Sequence, residues 1–158
     1  MQSFWRYETP IGLLGICEAD GQITHILFEH EEDAAGYTSL ETPVLREAAA
    51  QLAAYFAGTR TAFDLPLSLC GTPFQTSVWT ALTQIPFGQT RTYKDIATQI
   101  GNEKAPRAVG MANNRNKIPI VIPCHRVIGS NGKLVGYAGG MDTKKALLEL
   151  EQRISRNA

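Results

Sequence analysis

The ten residues from Ile118 to Val127 constrain the fold more than any other part of this 158-residue chain. They form an apolar, β-branched run that is interrupted by Pro119 and Pro123. The two prolines remove two backbone N–H donors, so the run fits poorly as a central strand of a sheet. We therefore predict a buried, irregular extended segment that positions a residue for chemistry.

Cys124 ends this apolar run and is followed directly by His125 and Arg126. A cysteine reacts as its thiolate, and a neighbouring positive charge or histidine base lowers the pKa of a thiol toward neutrality. Cys124 is therefore a candidate nucleophile. The alternative is a small core residue, because buried cysteines are common and adjacent residues of an extended chain point to opposite faces.

The charged residues divide the chain into two parts of opposite sign. Residues 1–70 hold three basic and ten acidic residues, and residues 71–158 hold twelve basic and five acidic ones, giving net charges of −7 and +7. The interval between Glu103 and Asp142 has no acidic residue. Its basic residues are Lys104, Arg107, Arg115, Lys117, Arg126 and Lys133. This asymmetry predicts a polyanionic partner for the second part, and the alternative is a solvated basic face without one.

The composition, 44% hydrophobic and 19% charged, is that of an ordinary globular protein. No apolar run approaches the roughly 18 residues of a membrane span, and the N-terminus lacks the pattern of a signal peptide. Cys17, Cys70 and Cys124 are an odd number without a close pair, which favours a reducing, cytoplasmic location. Because Cys17, His25 and His30 are scattered, we predict no metal. We also expect no cofactor, since no cofactor-binding loop is present.

Residues 1–70 are predicted to form a small α/β domain. The predicted strands cover Phe4–Tyr7, Leu13–Glu18 and Ile23–Phe28, and Asp-Gly at 20–21 is a hairpin signal. Thr42 as N-cap and Pro43 at the first helical position begin a helix that Gly58 ends. The glycine and proline at 71–73 mark a plausible boundary to a second domain over 71–158.

The second domain is predicted to be mostly helical, which makes the fold class α+β. Its predicted helices run from Phe74 to Thr83, from Thr92 to about Ile100, and from about Pro106 to Asn113. The last two, joined by a short glycine-containing turn, match the helix-turn-helix pattern. The final helix opens with Arg107 but is otherwise small or apolar, so it is poorly suited to hydrogen-bonding base edges in the major groove.

Pro-Cys-His-Arg-Val at 123–127 is preceded by Asn116 and followed by Gly136-Tyr137-Ala138-Gly139-Gly140. This arrangement resembles the active-site signature of the O6-alkylguanine-DNA alkyltransferases, also called methylated-DNA–protein-cysteine methyltransferases. Further motifs in the family's order are Gly71-Thr72-Pro73-Phe74-Gln75 with Val78-Trp79, Gly88-Gln89-Thr90 with Thr92-Tyr93, Arg107-Ala108-Val109-Gly110, and Leu147-Leu148-Glu149-Leu150-Glu151. The resemblance covers residues 70–152 strongly and the first 70 in outline. It implies an N-terminal domain of ribonuclease-H-like topology without that activity.

The resemblance also implies a reaction. An alkyl group would pass from O6 of guanine in double-stranded DNA to Cys124, once per protein molecule, with the base flipped out of the duplex. His125 resembles the base that takes the thiol proton through a water, Glu151 the carboxylate that orients it, and Asn116 the brace of the active-site turn. O4-alkylthymine as a second substrate stays open.

The remaining implied roles concern binding. The residues that resemble the guanine pocket are Tyr93, Val127, Tyr137 and Ala138, and those that resemble DNA contacts are Arg107, Ala108, Arg115 and Lys117. Arg107 would take the place of the extruded nucleotide, while Arg115 and Lys117 would contact phosphates. Lys117 stands where many relatives have proline, so the pocket entrance is expected to be more polar. Three of the implied site residues also have an ordinary structural alternative, namely Glu151 as a surface residue and Tyr93 or Tyr137 as a packed aromatic.

Two other function classes remain open at this point. A helix-turn-helix DNA-binding regulator would use the basic part without needing Cys124. A cysteine hydrolase would need an oxyanion hole and repeated turnover. The alkyltransferase is expected to act as a monomer, with no membrane partner.

Overall fold

The fold combines a sheet in the first part of the chain with helices in the second, as the α+β prediction requires. The computed structural model describes residues 1–31 and 36–157. The chain divides into two compact units, Met1–Leu69 and Cys70–Ala158. Within the described residues, no helix has the length and apolar character needed to cross a bilayer.

The first unit is built on a four-stranded sheet. The strands are β1 (Gln2–Thr9), β2 (Gly12–Ala19), β3 (Gln22–Phe28) and β4 (Thr38–Ser39), in the order β3-β2-β1-β4. β1 pairs antiparallel with β2, β2 pairs antiparallel with β3, and β4 pairs parallel with β1. The three predicted strands are confirmed and are longer than predicted, whereas β4 was missed because two residues carry no recognisable alternation.

The turn between β2 and β3 shows why the predicted hairpin forms. Asp20 and Gly21 have φ values of 52° and 84°. Two successive positive φ values are what a tight turn between right-twisted antiparallel strands requires, and Asp-Gly tolerates them well. The side chain of Glu18 accepts a hydrogen bond of 2.8 Å from the Gly21 amide.

Helix α1 (Pro43–Phe56) packs its apolar side against this sheet. The buried apolar residues of the helix are Leu45, Ala48, Leu52 and Tyr55. Thr42 occupies the N-cap as predicted, but its side chain makes no capping hydrogen bond. The helix ends at Ala57, followed by Gly58 with a φ of 81°.

The second unit is mostly helical, with one short pair of strands. Its elements are α2 (Pro73–Thr83), β5 (Arg91–Thr92), α3 (Tyr93–Gln99), α4 (Pro106–Asn114), β6 (Val127–Ile128) and α5 (Met141–Arg156). The three predicted helices are confirmed. Capping boxes begin two of them, formed by Thr72 with Gln75 and by Thr92 with Asp95. β5 and β6 pair in parallel, with Arg91 opposite Val127.

Helices α3 and α4 form the predicted helix-turn-helix and leave one side of α4 open. Residues 100–105 connect them, and Gly101 adopts a φ of 81° after the end of α3. Val109 and Ala112 of α4 are buried. The exposed residues of α4 are Arg107, Ala108, Met111 and Asn114. We call these four residues the open face of α4.

Candidate active site

Two tight turns deliver Cys124 to its position. Ile120 has a φ of 74°, a conformation that costs a β-branched residue energy, and the Ile122 amide donates to the Ile118 carbonyl at 2.9 Å. Pro123, with φ −80° and ψ 64°, is the centre of an inverse γ-turn closed by Cys124 N to Ile122 O at 2.8 Å. The segment is buried and irregular as predicted, but it is made of turns and not of extended chain.

Asn116 braces this segment from inside. Its Nδ2 donates to the Ile122 carbonyl at 2.8 Å, and its Oδ1 accepts from the Ile118 amide at 3.0 Å. A hydrogen bond from the same side chain to the Cys124 thiol favours the thiolate. The resemblance placed a brace at this position, and the contacts have the geometry of one.

The Cys124 thiol is held in an apolar environment. Cys124 is 5% exposed, and this burial raises the pKa of its thiol to about 11. The hydrogen bond from Asn116 and the positive charge of Lys144 lower the same pKa, but by less. The expectation that neighbouring charge brings this pKa toward neutrality is therefore wrong for the protein without DNA, because desolvation of the thiolate outweighs the charges. The thiol needs a base to remove its proton.

His125, the residue after Cys124, forms a buried pair with Glu151. His125 Nε2 lies 2.6 Å from Glu151 Oε2, and both residues are 0% exposed. Burial raises the pKa of Glu151, but its bonds and charge interactions with His125 and Arg126 outweigh burial and lower this pKa to about 2. An ionised carboxylate only accepts hydrogen bonds, so Nε2 carries the proton and Nδ1 presents a lone pair.

His125 is therefore available as a base. Burial lowers the pKa of its imidazole, although Glu151 raises it. The ring is neutral at pH 7 as a result, and Nδ1 has no hydrogen-bond partner among the residues that the structure describes. His125 directly follows Cys124 in the same short turn, and an unprotonated ring nitrogen is the group that a general base needs.

Arg126 belongs to this buried network and not to the surface. Its Nε and Nη2 donate to the Glu151 carboxylate at 2.8 and 3.1 Å, and its Nη1 donates to the Ile85 carbonyl at 2.7 Å. Arg126 is 5% exposed. The expectation that it contributes to a polyanion-binding surface and to the thiol's charge environment is wrong, because a bidentate carboxylate already neutralises its guanidinium.

Gly88 supplies a backbone donor to Glu151. Its amide donates to Glu151 Oε1 at 3.1 Å. The carboxylate thus accepts from an imidazole, a guanidinium and a backbone amide, which keeps it ionised although it is buried. This contact was not predicted, although the motif that contains Gly88 was noted.

Lys144 is a second buried cation that sequence reasoning missed. It is 0% exposed, and its Nζ donates to the carbonyls of Val127 and Val135 at 2.8 Å each. Burial lowers the pKa of the lysine, and the charge of Cys124 raises it. One signal could have found it: Lys144, Leu147 and Glu151 share the buried side of α5 at positions i, i+3 and i+7.

The pocket residues implied by the resemblance lie on three elements. Tyr93 begins α3, and burial followed by the negative charge of Cys124 raises the pKa of its phenol, which places the phenol near the thiol. Val127 is buried in β6. Tyr137 is partly buried and Ala138 exposed in the loop before α5. Their assignment to a base pocket stays a prediction.

The implied DNA contacts are all exposed. Arg107 and Ala108 lie on the open face of α4, and Arg115 caps that helix. Lys117 is exposed, and its Nζ donates to the Cys70 carbonyl at 3.2 Å. These positions are compatible with contacts to a nucleic acid, and the individual roles stay predictions.

Comparison with known proteins gives the same assignment for both units. Residues 73–153 match the family described as 6-O-methylguanine DNA methyltransferase, DNA binding domain, and residues 6–69 match the family described as 6-O-methylguanine DNA methyltransferase, ribonuclease-like domain. The constitutive methylated-DNA–protein-cysteine methyltransferase of Bacillus subtilis is 49% identical and is covered over 98% of both chains. That of Methanosarcina acetivorans is 50% identical, over 92% of this chain and 95% of its own.

Solved structures are similar over almost the whole chain. Mycobacterium tuberculosis OGT in complex with DNA superposes with a TM-score of 0.91 at 46% identity, covering 96% of this chain and 94% of its own. The O6-methylguanine methyltransferase of the same organism has a TM-score of 0.90 at 45% identity, with coverages of 97% and 94%. With both units matched and identities near one half, this chain belongs to the 6-O-methylguanine DNA methyltransferase family.

Proposed function

We propose that this protein repairs alkylated DNA directly, by moving the alkyl group from O6 of guanine to Sγ of Cys124. The observation that carries the proposal is the buried hydrogen bond of 2.6 Å between His125 and Glu151. His125 directly follows Cys124 in the same short turn. Burial raises the pKa of the Cys124 thiol, so the thiol needs a base, and the neutral imidazole of His125 can serve as that base.

The chemistry balances within the site and the substrate. His125 Nδ1 takes the thiol proton through a water, Sγ attacks the alkyl carbon in line, and the C–O6 bond breaks as the S–C bond forms. The imidazolium is stabilised by the ionised Glu151. The guanine anion takes up a proton, for which the Tyr93 phenol is the proposed donor, and the proton held by His125 returns to the Tyr93 phenolate through solvent. The products are unmodified guanine and a thioether on Cys124.

The thioether makes the protein a single-use reagent. A carbon–sulfur bond of this kind has no good leaving group, and the proposed reaction uses no cofactor. Each molecule is therefore proposed to transfer one alkyl group, acting as a monomer in the cytoplasm.

Double-stranded DNA is the proposed partner because the target atom lies inside the base stack. Apart from Arg107, the open face of α4 carries uncharged side chains, which suits close approach to a minor groove with little sequence readout. Arg107 is proposed to fill the gap of the flipped nucleotide, with Ala108 beside it. Arg115 and Lys117 are proposed to contact phosphates.

The test is to incubate the protein with DNA carrying labelled O6-methylguanine and to locate the label by peptide mass. We expect one label per molecule, on Cys124. Cys124→Ser should transfer nothing and still bind DNA, because the substitution removes only the thiol. Label on the exposed Cys70 or the buried Cys17 in that variant would contradict the assignment, as would many labels per molecule. DNA binding without any transfer would favour the regulator.

A further inference from the structure

The second unit contains an open cleft whose lining includes neither Cys124 nor His125 nor Glu151. The cleft has a volume of about 650 Å³, and none of the described residues that line it is acidic. Its lining residues are Cys70, Gly71, Thr72, Gln75, Trp79, Arg115 and Lys117. The cleft therefore combines a thiol with two cations and no opposing carboxylate.

Cys70 is the accessible thiol of the chain. It is exposed, whereas Cys17 and Cys124 are buried, and all three are free. An exposed thiol can exchange with disulfides in solution, and a buried thiol is a poor partner for it. A group that bonds to Cys70 is therefore expected to come from solution.

The backbone next to Cys70 is held in place by two contacts. A Cβ on Gly71 would lie 2.6 Å from an atom of the Trp79 ring, so the glycine packs directly against that ring. Trp79 is itself buried. Thr72 forms a capping box with Gln75 at the start of α2. The thiol is therefore attached to a fixed frame at the cleft.

Arg115 and Lys117 supply the positive charge of the cleft. The Lys117 Nζ donates to the backbone carbonyl of Cys70 at 3.2 Å. The carbonyl oxygen and Sγ belong to one residue, so this ammonium lies within roughly 8 Å of the sulfur, about one Debye length at physiological salt. Neither cation forms an ion pair within residues 1–31 and 36–157. Both charges are available to an anion that approaches the thiol.

We propose that Cys70 is a reversible modification site, where a small disulfide of the glutathione class forms a mixed disulfide while Arg115 and Lys117 bind its carboxylates. The charge of the cleft determines the choice of partner, because two cations without a carboxylate attract an anion and repel a cation. In the reducing cytoplasm proposed for this protein, such disulfides are transient and serve redox sensing.

The step is a thiol–disulfide exchange. The Cys70 thiolate attacks one sulfur of the disulfide, so that a new Sγ–S bond forms as the old S–S bond breaks. The other half leaves as a thiolate and takes up a proton, in place of the one that Cys70 lost. Cys70 is oxidised, and the leaving half is reduced to a thiol. An excess of free thiol reverses the reaction.

The modification also affects DNA binding, and this part of the inference rests on the proposed function. Arg115 and Lys117 are the proposed phosphate contacts, and the carboxylates of the mixed disulfide would occupy the same two cations. The modified protein should therefore bind DNA more weakly, with a flatter salt dependence.

The first experiment measures recognition of the disulfide without DNA. The protein reacts with oxidised glutathione, which is anionic, or with hydroxyethyl disulfide, which is neutral, and peptide mass follows the rate constant at Cys70. The ratio of the two rate constants removes the intrinsic reactivity of the thiol. It is compared between the wild type, the double variant Arg115→Met with Lys117→Met, and Lys145→Met. Lys145 is the matched control because it is exposed and does not line the cleft.

We expect the ratio in the wild type and in Lys145→Met to exceed that of the double variant by at least about fivefold. The difference should shrink as salt is added, because exposed charges are screened. Equal ratios in the wild type and the double variant would overturn the inference, as would faster reaction at Cys17 or Cys124 than at Cys70. Circular dichroism checks folding, and Lys117→Met alone replaces the double variant if that variant does not fold.

The second experiment measures DNA binding in the Cys124→Ser variant, so that Cys70 is its accessible thiol. Affinity for duplex DNA should fall by roughly tenfold on modification with oxidised glutathione and return on reduction with dithiothreitol. Cys70→Ser in the same background should show no change. Unchanged affinity of the modified protein would overturn the control of DNA binding. If the unmodified protein does not bind DNA, the proposed function fails, while the disulfide rate constants still decide whether Cys70 is the modification site.

Discussion

The Glu151 carboxylate lies 2.6 Å from Nε2 of His125 and is joined to Arg126 through both of its oxygens. One buried carboxylate thus orients the proposed base and neutralises the Arg126 guanidinium. The imidazole is fixed in one tautomer by this contact, with Nδ1 left to accept a proton. The proposed proton transfer and the folding stability therefore involve the same side chain.

The first prediction tests whether His125 and Glu151 act as a unit. His125→Ala and Glu151→Gln should each slow alkyl transfer by about 10²- to 10⁴-fold, as expected for loss of a general base. The double variant should be little slower than either single one. Single-turnover kinetics measure this, with the exposed Glu149→Gln on the same helix as control. Additive losses would show two independent roles.

The second prediction concerns Lys144. Lys144→Met keeps most of the side-chain volume but removes the charge that favours the Cys124 thiolate, so the pKa of the thiol should rise further. Transfer at pH 7 should slow by roughly tenfold or more, and the pH dependence should shift upward. Lys145→Met is the matched control, since Lys145 is its exposed neighbour. An unchanged pH profile would make Lys144 purely structural.

The third prediction separates a buried arginine from an exposed one. Arg126→Met should destabilise the fold by about 3–5 kcal/mol, because it leaves the buried charge of Glu151 without its guanidinium partner. Arg115→Ala and Lys117→Ala should instead weaken binding to all DNA sequences and flatten its salt dependence. Urea unfolding and DNA titrations at several salt concentrations measure the two effects. If DNA binding by Arg126→Met depended less on salt than binding by the wild type, Arg126 would have to be a phosphate contact.

The fourth prediction concerns Arg107 and base flipping. Arg107→Ala should slow repair of duplex DNA much more than reaction with free O6-alkylguanine base, which requires no flipping. Met111→Ala, on the same open face, is the comparison for a general loss of contact. If both substrates slow equally, Arg107 acts on the chemical pocket or the fold and not on the gap in the duplex.

The fifth prediction follows from the lowered pKa of Glu151, which is about 2 against an ordinary value of 4.5. A carboxyl with a depressed pKa in the folded state contributes stability that is complete above the ordinary value and is lost as the pH falls through the folded one. Between pH 5 and 2 the free energy of unfolding should fall less steeply in Glu151→Gln than in the wild type. Parallel curves would contradict the assigned charge state.

The sequence predicted the helices well because their ends carry local signals. Thr72 with Pro73 at the start of α2 and Gly101 after α3 act within one turn of the chain. The short strands β4, β5 and β6 were not predicted, since two residues in a ladder depend on a distant partner. Helix ends can be predicted from residues within one turn, whereas the pairing of a two-residue strand depends on residues far away in the sequence.

The site was predicted unevenly for a similar reason. Asn116, Cys124 and His125 lie in one short stretch, so a motif could indicate them together. Arg126 and Lys144 were treated as ordinary charges, because a lysine or arginine is by default exposed. Only the three-dimensional arrangement shows that their partners, a carboxylate and two backbone carbonyls, are buried with them.

The turn at Ile120 has a consequence for when the cysteine becomes reactive. Its φ of 74° is unfavourable for isoleucine by itself and is maintained by complete burial of the side chain. A short peptide with the same sequence would relax to other backbone shapes, and its cysteine would stand alone without Glu151 or Lys144. In a nascent or denatured chain, Cys124 therefore has the reactivity of an ordinary cysteine, and the capacity for alkyl transfer appears only when the chain has folded.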